Sequence, residues 1–264
     1  MRFVYTLFSS ENDSYLEQLL LSVYSLRRHN PDAEVVVFID GLTRDGLIGS
    51  RASLYDVADV RVVEIPKVGL LSPVSKSRYL KLNCRHWVDG DMLFIDTDTL
   101  VMSSLDGLSG LSGDVHICDE SEYLSTWKVE QHYLGKLGCS EGCPYFNSGV
   151  IYSKDTELSR RLYSEWYGLW LEKKSVLNLS RDQPFLAMAN DMLRCVEYLD
   201  PSYNVRVHIT NNMEGARILH YWAHSDKYGK KVFESIRNNG YKVEYCHIDD
   251  MVKDLSKKKA WIHK

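Results

Sequence analysis

The segment Asp91 to Met102, DMLFIDTDTLVM, places four apolar residues directly before two aspartates one residue apart. An apolar run of this length, bounded by polar residues, fits a strand buried on both faces. Asp96 and Asp98 then stand at its carboxyl end, on one side if the strand persists. Two carboxylates aimed together repel unless a cation or a donor lies between them. Either a divalent ion belongs there or the pair lines a solvated turn. Oxygen ligands without cysteine suit Mg²⁺ or Mn²⁺ rather than a structural zinc. Such ions leave part of their shell to a substrate diphosphate and offset the charge it gains on leaving, as sugar-nucleotide chemistry requires. A second pair of equal spacing, Asp89 and Asp91, precedes the apolar run. Ligands of open parallel sheets bind outside the carboxyl ends of strands, so Asp89-Gly90-Asp91 reads as a turn.

The elements that must position this pair alternate between strand and helix. RFVYTLFSS reads as a first strand, and SYLEQLLLSVYSLRRHN as a helix with Leu16, Leu19, Leu20, Val23 and Leu26 on one face. AEVVVFID is a second buried strand, GLTRDGLIGSRASLYDVA a helix with a weak start, and VRVVEIP a third strand. Pro73 opens the helix SPVSKSRYLKLNCRHWV, and DMLFID is the fourth strand. This order predicts an α/β fold, a parallel sheet covered by helices on both faces. The second half is less regular. DVHICDE, YFNSGVIYS, CVEYLD and RILHYWA read as strands, and TELSRRLYSEWYGLWLEKK and QPFLAMANDML as helices.

The 264 residues suffice for one large domain, and no Pro/Gly/Ser-rich linker or internal repeat divides them. A net charge of −4 argues against a broad nucleic-acid-binding surface. MRFVYTLF is too short an apolar run for a secretory signal, and no stretch of about 18 apolar residues exists, so a cytoplasmic location is expected. Cys84, Cys118 and Cys195 read as reduced core residues. Cys139 and Cys143 in CSEGC lack a second cysteine or histidine pair and read as free thiols rather than a metal site. Lys257, Lys258 and Lys259 beside Trp261 and Ile262 fit either a solvated helix end or a peripheral contact with an anionic membrane.

FIDTDTLVM, YFNSGVIYS, RDQPFLAMA, YLDPSYNV and ILHYWAHSDK, in this order, resemble the GT-A fold retaining glycosyltransferases that include glycogenin and the bacterial lipopolysaccharide galactosyltransferases. The resemblance runs from about residue 2 to about residue 230 and rests on the five segments together. It implies a single GT-A type domain over residues 1–250, with a Rossmann-like nucleotide-binding half (1–102), an acceptor and metal half (103–250), and a basic tail (251–264). It also implies a UDP-hexose donor, Mn²⁺ or Mg²⁺, retention of anomeric configuration and a glycan or lipid-linked glycan acceptor.

By the same resemblance, Asp96 and Asp98 hold the ion and His220 in LHYW is its third ligand; taken alone, His220 would read as a hydrogen-bonded core histidine. Lys81 falls on the family's basic position near the donor, with Arg78 one turn earlier; both also fit a solvated helix face. Asn147 and Ser148 in FNSGV approach the donor sugar or acceptor, with Gly149 allowing close backbone approach. Asp182 and Gln183 in RDQPF face the anomeric carbon, although Asp182 before Pro184 is also a good helix start. Asp119 falls near the family's sugar-hydroxyl carboxylate.

The chain also departs from the family. Ala223 replaces a glycine, Asp226 stands on the diphosphate lysine's position, and Lys227 comes one residue later. The first strand offers Ser9, Asn12 and Asp13 for the base without deciding among them. These departures leave room for a sugar-nucleotide-binding protein without turnover. A nucleotidyltransferase would carry a Gly-rich loop after the first strand, and LFSSENDSY has no glycine.

Overall fold

The structure, a computed structural model, describes residues 1–66, 72–124, 128–210, 212–221 and 229–257. The first half runs β1 (Arg2–Leu7), α1 (Tyr15–His29), β2 (Glu34–Ile39), α2 (Gly41–Gly46), α3 (Leu54–Val57), β3 (Asp59–Val62), α4 (Pro73–Asn83), β4 (Met92–Ile95) and β5 (Thr99–Val101). The second half runs β6 (Val115–Asp119), α5 (Ser121–Leu124), α6 (Lys128–Leu137), β7 (Phe146–Ser153), α7 (Glu157–Lys173), α8 (Gln183–Leu193), β8 (Val196–Tyr198), β9 (Val205–Arg206), β10 (Ile218–His220), α9 (Lys230–Asn238) and α10 (Tyr245–Ser256).

Seven strands form the main sheet in the order β3-β2-β1-β4-β7-β6-β8. β7 alone is reversed, antiparallel to β4 and to β6, so the sheet is mainly parallel. That reversal matters for function. Ile95 pairs with Val150, which sets the first residues of β7 beside the end of β4. The carboxyl edge therefore collects the ends of β4 and β6 and the start of β7. A second sheet, β5-β10-β9, takes up the chain just beyond β4.

Alternation along the strands explains the layers. In β4, Leu93 and Ile95 enter a core with Tyr5 and the α1 residues Leu16, Leu19 and Leu20. Met92 and Phe94 enter the opposite core, with Trp166, Trp170 and Phe185 of α7 and α8. A third core joins the small sheet to Phe233, Ile236, Met251 and Leu255 of α9 and α10.

Three expectations are corrected. The helix expected over residues 41–58 is broken into α2, a 3-10 turn (Gly49–Ser53) and α3. α2 ends at Gly46, capped by Leu47, and Gly49 takes φ +56, a left-handed conformation that glycine adopts without a steric penalty and that does not continue an α-helix. The helix opened by Pro73 ends at Asn83 in a 3-10 turn, Cys84–Trp87. The tail expected from residue 251 begins inside α10, whose Met251 and Leu255 are buried. Lys258, Lys259, Trp261 and Ile262 lie outside the described residues. Among the described residues no helix is long and apolar enough to cross a membrane.

Trp166 is fully buried in α7, and its Nε1 donates to the Asp182 carbonyl at 2.9 Å. Trp166→Ala opens a cavity under α8 and removes one of the donors to that carbonyl, which keeps the Phe185 and Leu186 N–H groups. It is expected to lose about 3–5 kcal/mol in urea unfolding.

Candidate active site

Asp96-Thr97-Asp98 is the step by which the chain leaves the large sheet for the small one. On one side, the Asp96 N–H donates to the Gly149 carbonyl of β7 at 2.8 Å. On the other, Thr99 pairs with His220 in the β5–β10 ladder, and the Tyr221 N–H donates to the Asp98 carbonyl at 3.0 Å. Strand pairing thus carries His220, more than a hundred residues later in sequence, to the aspartates. Its Nε2 lies 3.3 Å from Asp98 Oδ1. One ligand atom each from Asp96, Asp98 and His220 fall within 4.8 Å of one another, and among the described residues this is the one three-residue group with metal-ligand character. Burial disfavours the imidazolium of His220, yet Asp98 and then Asp96 raise its pKa above the ordinary histidine value, with Lys81 opposing. The corner attracts positive charge.

Gly149 makes room for this ring. A Cβ there would lie 2.3 Å from His220 Cε1 and 2.7 Å from Nδ1, inside van der Waals contact. The close approach expected at Gly149 is to the donor sugar or acceptor; the side chain the structure sets against it is His220.

The basic residues of α4 meet the carboxylates from the other side. Lys81 is 3% exposed, and its Nζ donates to Asp96 Oδ1 and Oδ2 at 3.0 and 3.1 Å. The same Nζ is 3.6 Å from Asp182 Oδ2. Its ammonium is engaged by the site's own carboxylates. Arg78 Nε is 3.1 Å from Asp182 Oδ1, with its side chain partly exposed. Ser148 Oγ donates to Asp182 Oδ2 at 2.8 Å. Asp182 stands at the N-cap of α8 but makes no side-chain cap; its carboxylate faces Arg78, Lys81 and Ser148 instead. Burial would raise its pKa, but Arg78, Lys81 and the Ser148 hydroxyl overturn that and hold it at about 2.

Asn147 and Gln183 meet at a residue the sequence reading missed. Glu120, 1% exposed, accepts from Asn147 Nδ2 at 2.6 Å and from Gln183 Nε2 at 2.9 Å, and it pairs with buried Arg206. Asn204, also missed, links Asn147 to His220. Asp119, the carboxylate singled out from sequence, is exposed, and its Oδ1 accepts from the Ser121 N–H and hydroxyl. A one-residue difference at the strand end separates a turn cap from a buried anchor. The available signal was the pairing of two acidic residues, Asp119 and Glu120, at the end of a strand.

Lys227, Ala223 and Asp226 lie outside the described residues. At the end of β1, Asp13 accepts from Ser9 Oγ at 2.8 Å, the Ser10 N–H at 2.6 Å and the Tyr15 N–H at 3.1 Å, which makes it a turn anchor. Asp89 and Asp91 flank a turn, with Gly90 at φ +75. The described cysteines are free thiols.

A mainly parallel sheet with paired aspartates leaving its fourth strand and a late histidine folded back onto them is the arrangement of a GT-A type domain. The chain belongs to glycosyl transferase family 8, whose sequence pattern matches residues 6–227, and it is a glycosyltransferase. The structure of the galactosyltransferase LgtC in complex with donor and acceptor sugar analogues is similar at 16% identity and a TM-score of 0.59, over 93% of this chain and 98% of that one. Mouse xyloside xylosyltransferase 1 is similar at 16% identity and 0.55, over 85% of this chain and 98% of that one. The glycosyltransferase GlyE of Streptococcus pneumoniae TIGR4 is similar at 14% identity and 0.56, over 99% of this chain and 66% of that one. At these identities the likenesses speak for the fold. No curated protein matches the chain in sequence.

Gly149→Ala is expected to push the His220 ring off Asp98, as a crystal structure of the variant would reveal, at a cost of about 1–3 kcal/mol from overpacking. The Asp182 carboxyl is held below its unfolded value, so its contribution to stability is present above pH 4 and lost as pH falls through about 2. Asp182→Asn is expected to flatten that limb of the acid unfolding curve.

Proposed function

We propose that this glycosyltransferase takes a nucleotide-diphosphate sugar, a UDP-hexose by family resemblance, and moves the hexose to a hydroxyl of a glycan acceptor with retention of configuration. The observation that carries the reading is the convergence of Asp96, Asp98 and His220 at the carboxyl edge of the sheet. The residues suit a divalent ion. Two carboxylates and an imidazole nitrogen are a donor set for Mn²⁺, with Mg²⁺ the weaker match to imidazole. Gly149 leaves the imidazole room to sit there. When bound, the ion would supply Lewis-acid stabilisation of charge on the leaving diphosphate.

The chain's own residues divide the remaining work. Lys81 separates Asp96 from Asp182, so three acidic groups share one pocket without leaving it strongly negative. Arg78, more exposed than Lys81, is the one of this pair with a face left for a phosphate. Asn147, Ser148 and Gln183 line the edge where the sugar would lie. Asp182 already accepts from Ser148 and pairs with Arg78 and Lys81, so as a nucleophile it would first have to shed partners. That favours front-face attack by the acceptor hydroxyl over a covalent intermediate on Asp182.

Incubation with a panel of UDP-hexoses and Mn²⁺ is expected to release UDP. Asp98→Ala is expected to lower the rate at least about a hundredfold, in keeping with the several kcal/mol an ion contributes. Full activity in excess chelator would remove the ion from the proposal.

A further inference from the structure

A buried chain of hydrogen bonds joins the corner of His220 to the start of α8, and its direction can be worked out from its fixed ends. Glu120 Oε1 accepts from Asn147 Nδ2 at 2.6 Å and from Arg206 Nη1, and its Oε2 accepts from Gln183 Nε2 at 2.9 Å. Each of these three partners donates, so both amides must turn their NH₂ groups toward Glu120. Gln183 uses its second N–H on the Phe146 carbonyl, at 2.9 Å. Asn147 must then turn Oδ1 the other way. That oxygen accepts from the Gly149 N–H at 2.9 Å, a donor that cannot be reversed, and from Asn204 Nδ2 at 2.8 Å. Asn204 is thereby left with Oδ1 toward His220 Nδ1, at 3.0 Å. An amide oxygen there requires the proton on Nδ1. In the neutral ring the lone pair on Nε2 is then left facing Asp98.

The relay spans both sheets. Glu120 follows β6, Asn147 lies on β7, Asn204 precedes β9, Arg206 lies on β9 and His220 ends β10. All five are less than one tenth exposed. Burying a pair such as Glu120–Arg206 is weak evidence of stabilisation, since apolar replacements often fold as well. What a charge at this point adds is direction: it fixes the Gln183 amide and, together with the Gly149 N–H, the Asn147 amide, through which Asn204 and one imidazole are oriented.

We propose that Glu120 is a positioning residue that fixes the tautomer of His220 through Asn147 and Asn204 and holds the Gln183 amide at the head of α8. The inference deepens the divalent-ion reading above and rests on it for its link to metal affinity. Histidines that ligate metals commonly have the other ring nitrogen held in this manner, and loss of the holder weakens the metal about 10- to 100-fold.

Glu120→Gln tests it, because it keeps the shape but sets an NH₂ against a group of donors. Long-range ¹H–¹⁵N spectra of metal-free protein in alkaline buffer are expected to show His220 protonated on Nδ1 in the wild type and shared between Nδ1 and Nε2 in the variant. Manganese titration by electron paramagnetic resonance is expected to show Kd raised about tenfold or more. An unchanged tautomer, or an unchanged Kd, overturns the proposal. If the wild type binds no Mn²⁺, the ion reading fails and the tautomer comparison alone decides the role of Glu120. Should Glu120→Gln not fold, two variants at Asn204 decide it. Asn204→Asp keeps an acceptor at Nδ1 and should preserve the tautomer, whereas Asn204→Ala should release it. The same tautomer in both overturns the proposal.

Discussion

Acidic side chains packed at one strand end can persist only where positive charge meets them. Asp96, Asp98 and Asp182 crowd the carboxyl edge of the sheet, and their mutual repulsion must be answered. Lys81 answers it from α4, reaching Asp96 and Asp182 with one buried ammonium. Arg78 answers it again at Asp182. At Asp98 the partner is the His220 imidazole; burial disfavours its charged form, but Asp98 and Asp96 outweigh burial and raise its pKa. Much of the surrounding architecture holds these charges in place: α7 and α8 press Asp182 inward, and the small sheet returns His220.

Two sheets are needed for this. β4 delivers the aspartates, but a single parallel sheet offers no element to face them from beyond its edge. Turning the chain at Thr97 into β5 begins a second sheet, and β10 pairs with β5 so that His220 stands beside Thr99. The reversed β7 closes the remaining side. Its glycine accommodates the imidazole and its asparagine joins the relay from Glu120. The Asp96–Asp98–His220 corner and the polar groups at the start of α8 are thus parts of one hydrogen-bonded assembly.

The pieces legible in the sequence share a property: their signals are local. The apolar run before Asp96, the alternation of strand and helix through residue 95, and Pro73 at a helix start are all written within a few residues. Gly149, Asp182 and Gln183 came from the resemblance, and each stands at the site's edge. What local reading placed badly was helix continuity, and the resemblance that singled out Asp119 passed over its buried neighbour Glu120. Asp119 and Glu120 are adjacent, similar acids, and at the irregular end of β6 the first faces out and caps Ser121 while the second turns in. The helix over 41–58 fails where Gly49 turns left-handed just past the end of α2, which periodicity alone does not register.

By itself the sequence determined the α/β order, the strand that carries the carboxylate pair, and membership of a family through motifs spread along the chain. Those rest on the periodicity of apolar residues and on side-chain type, which need no knowledge of distant neighbours. Only the tertiary structure decided that Glu120 rather than Asp119 is buried, that Lys81 is engaged by carboxylates, and that Asn204 and Arg206 belong to the site. Those depend on pairing between strands far apart in the chain, where a one-residue register shift turns a side chain from solvent to core.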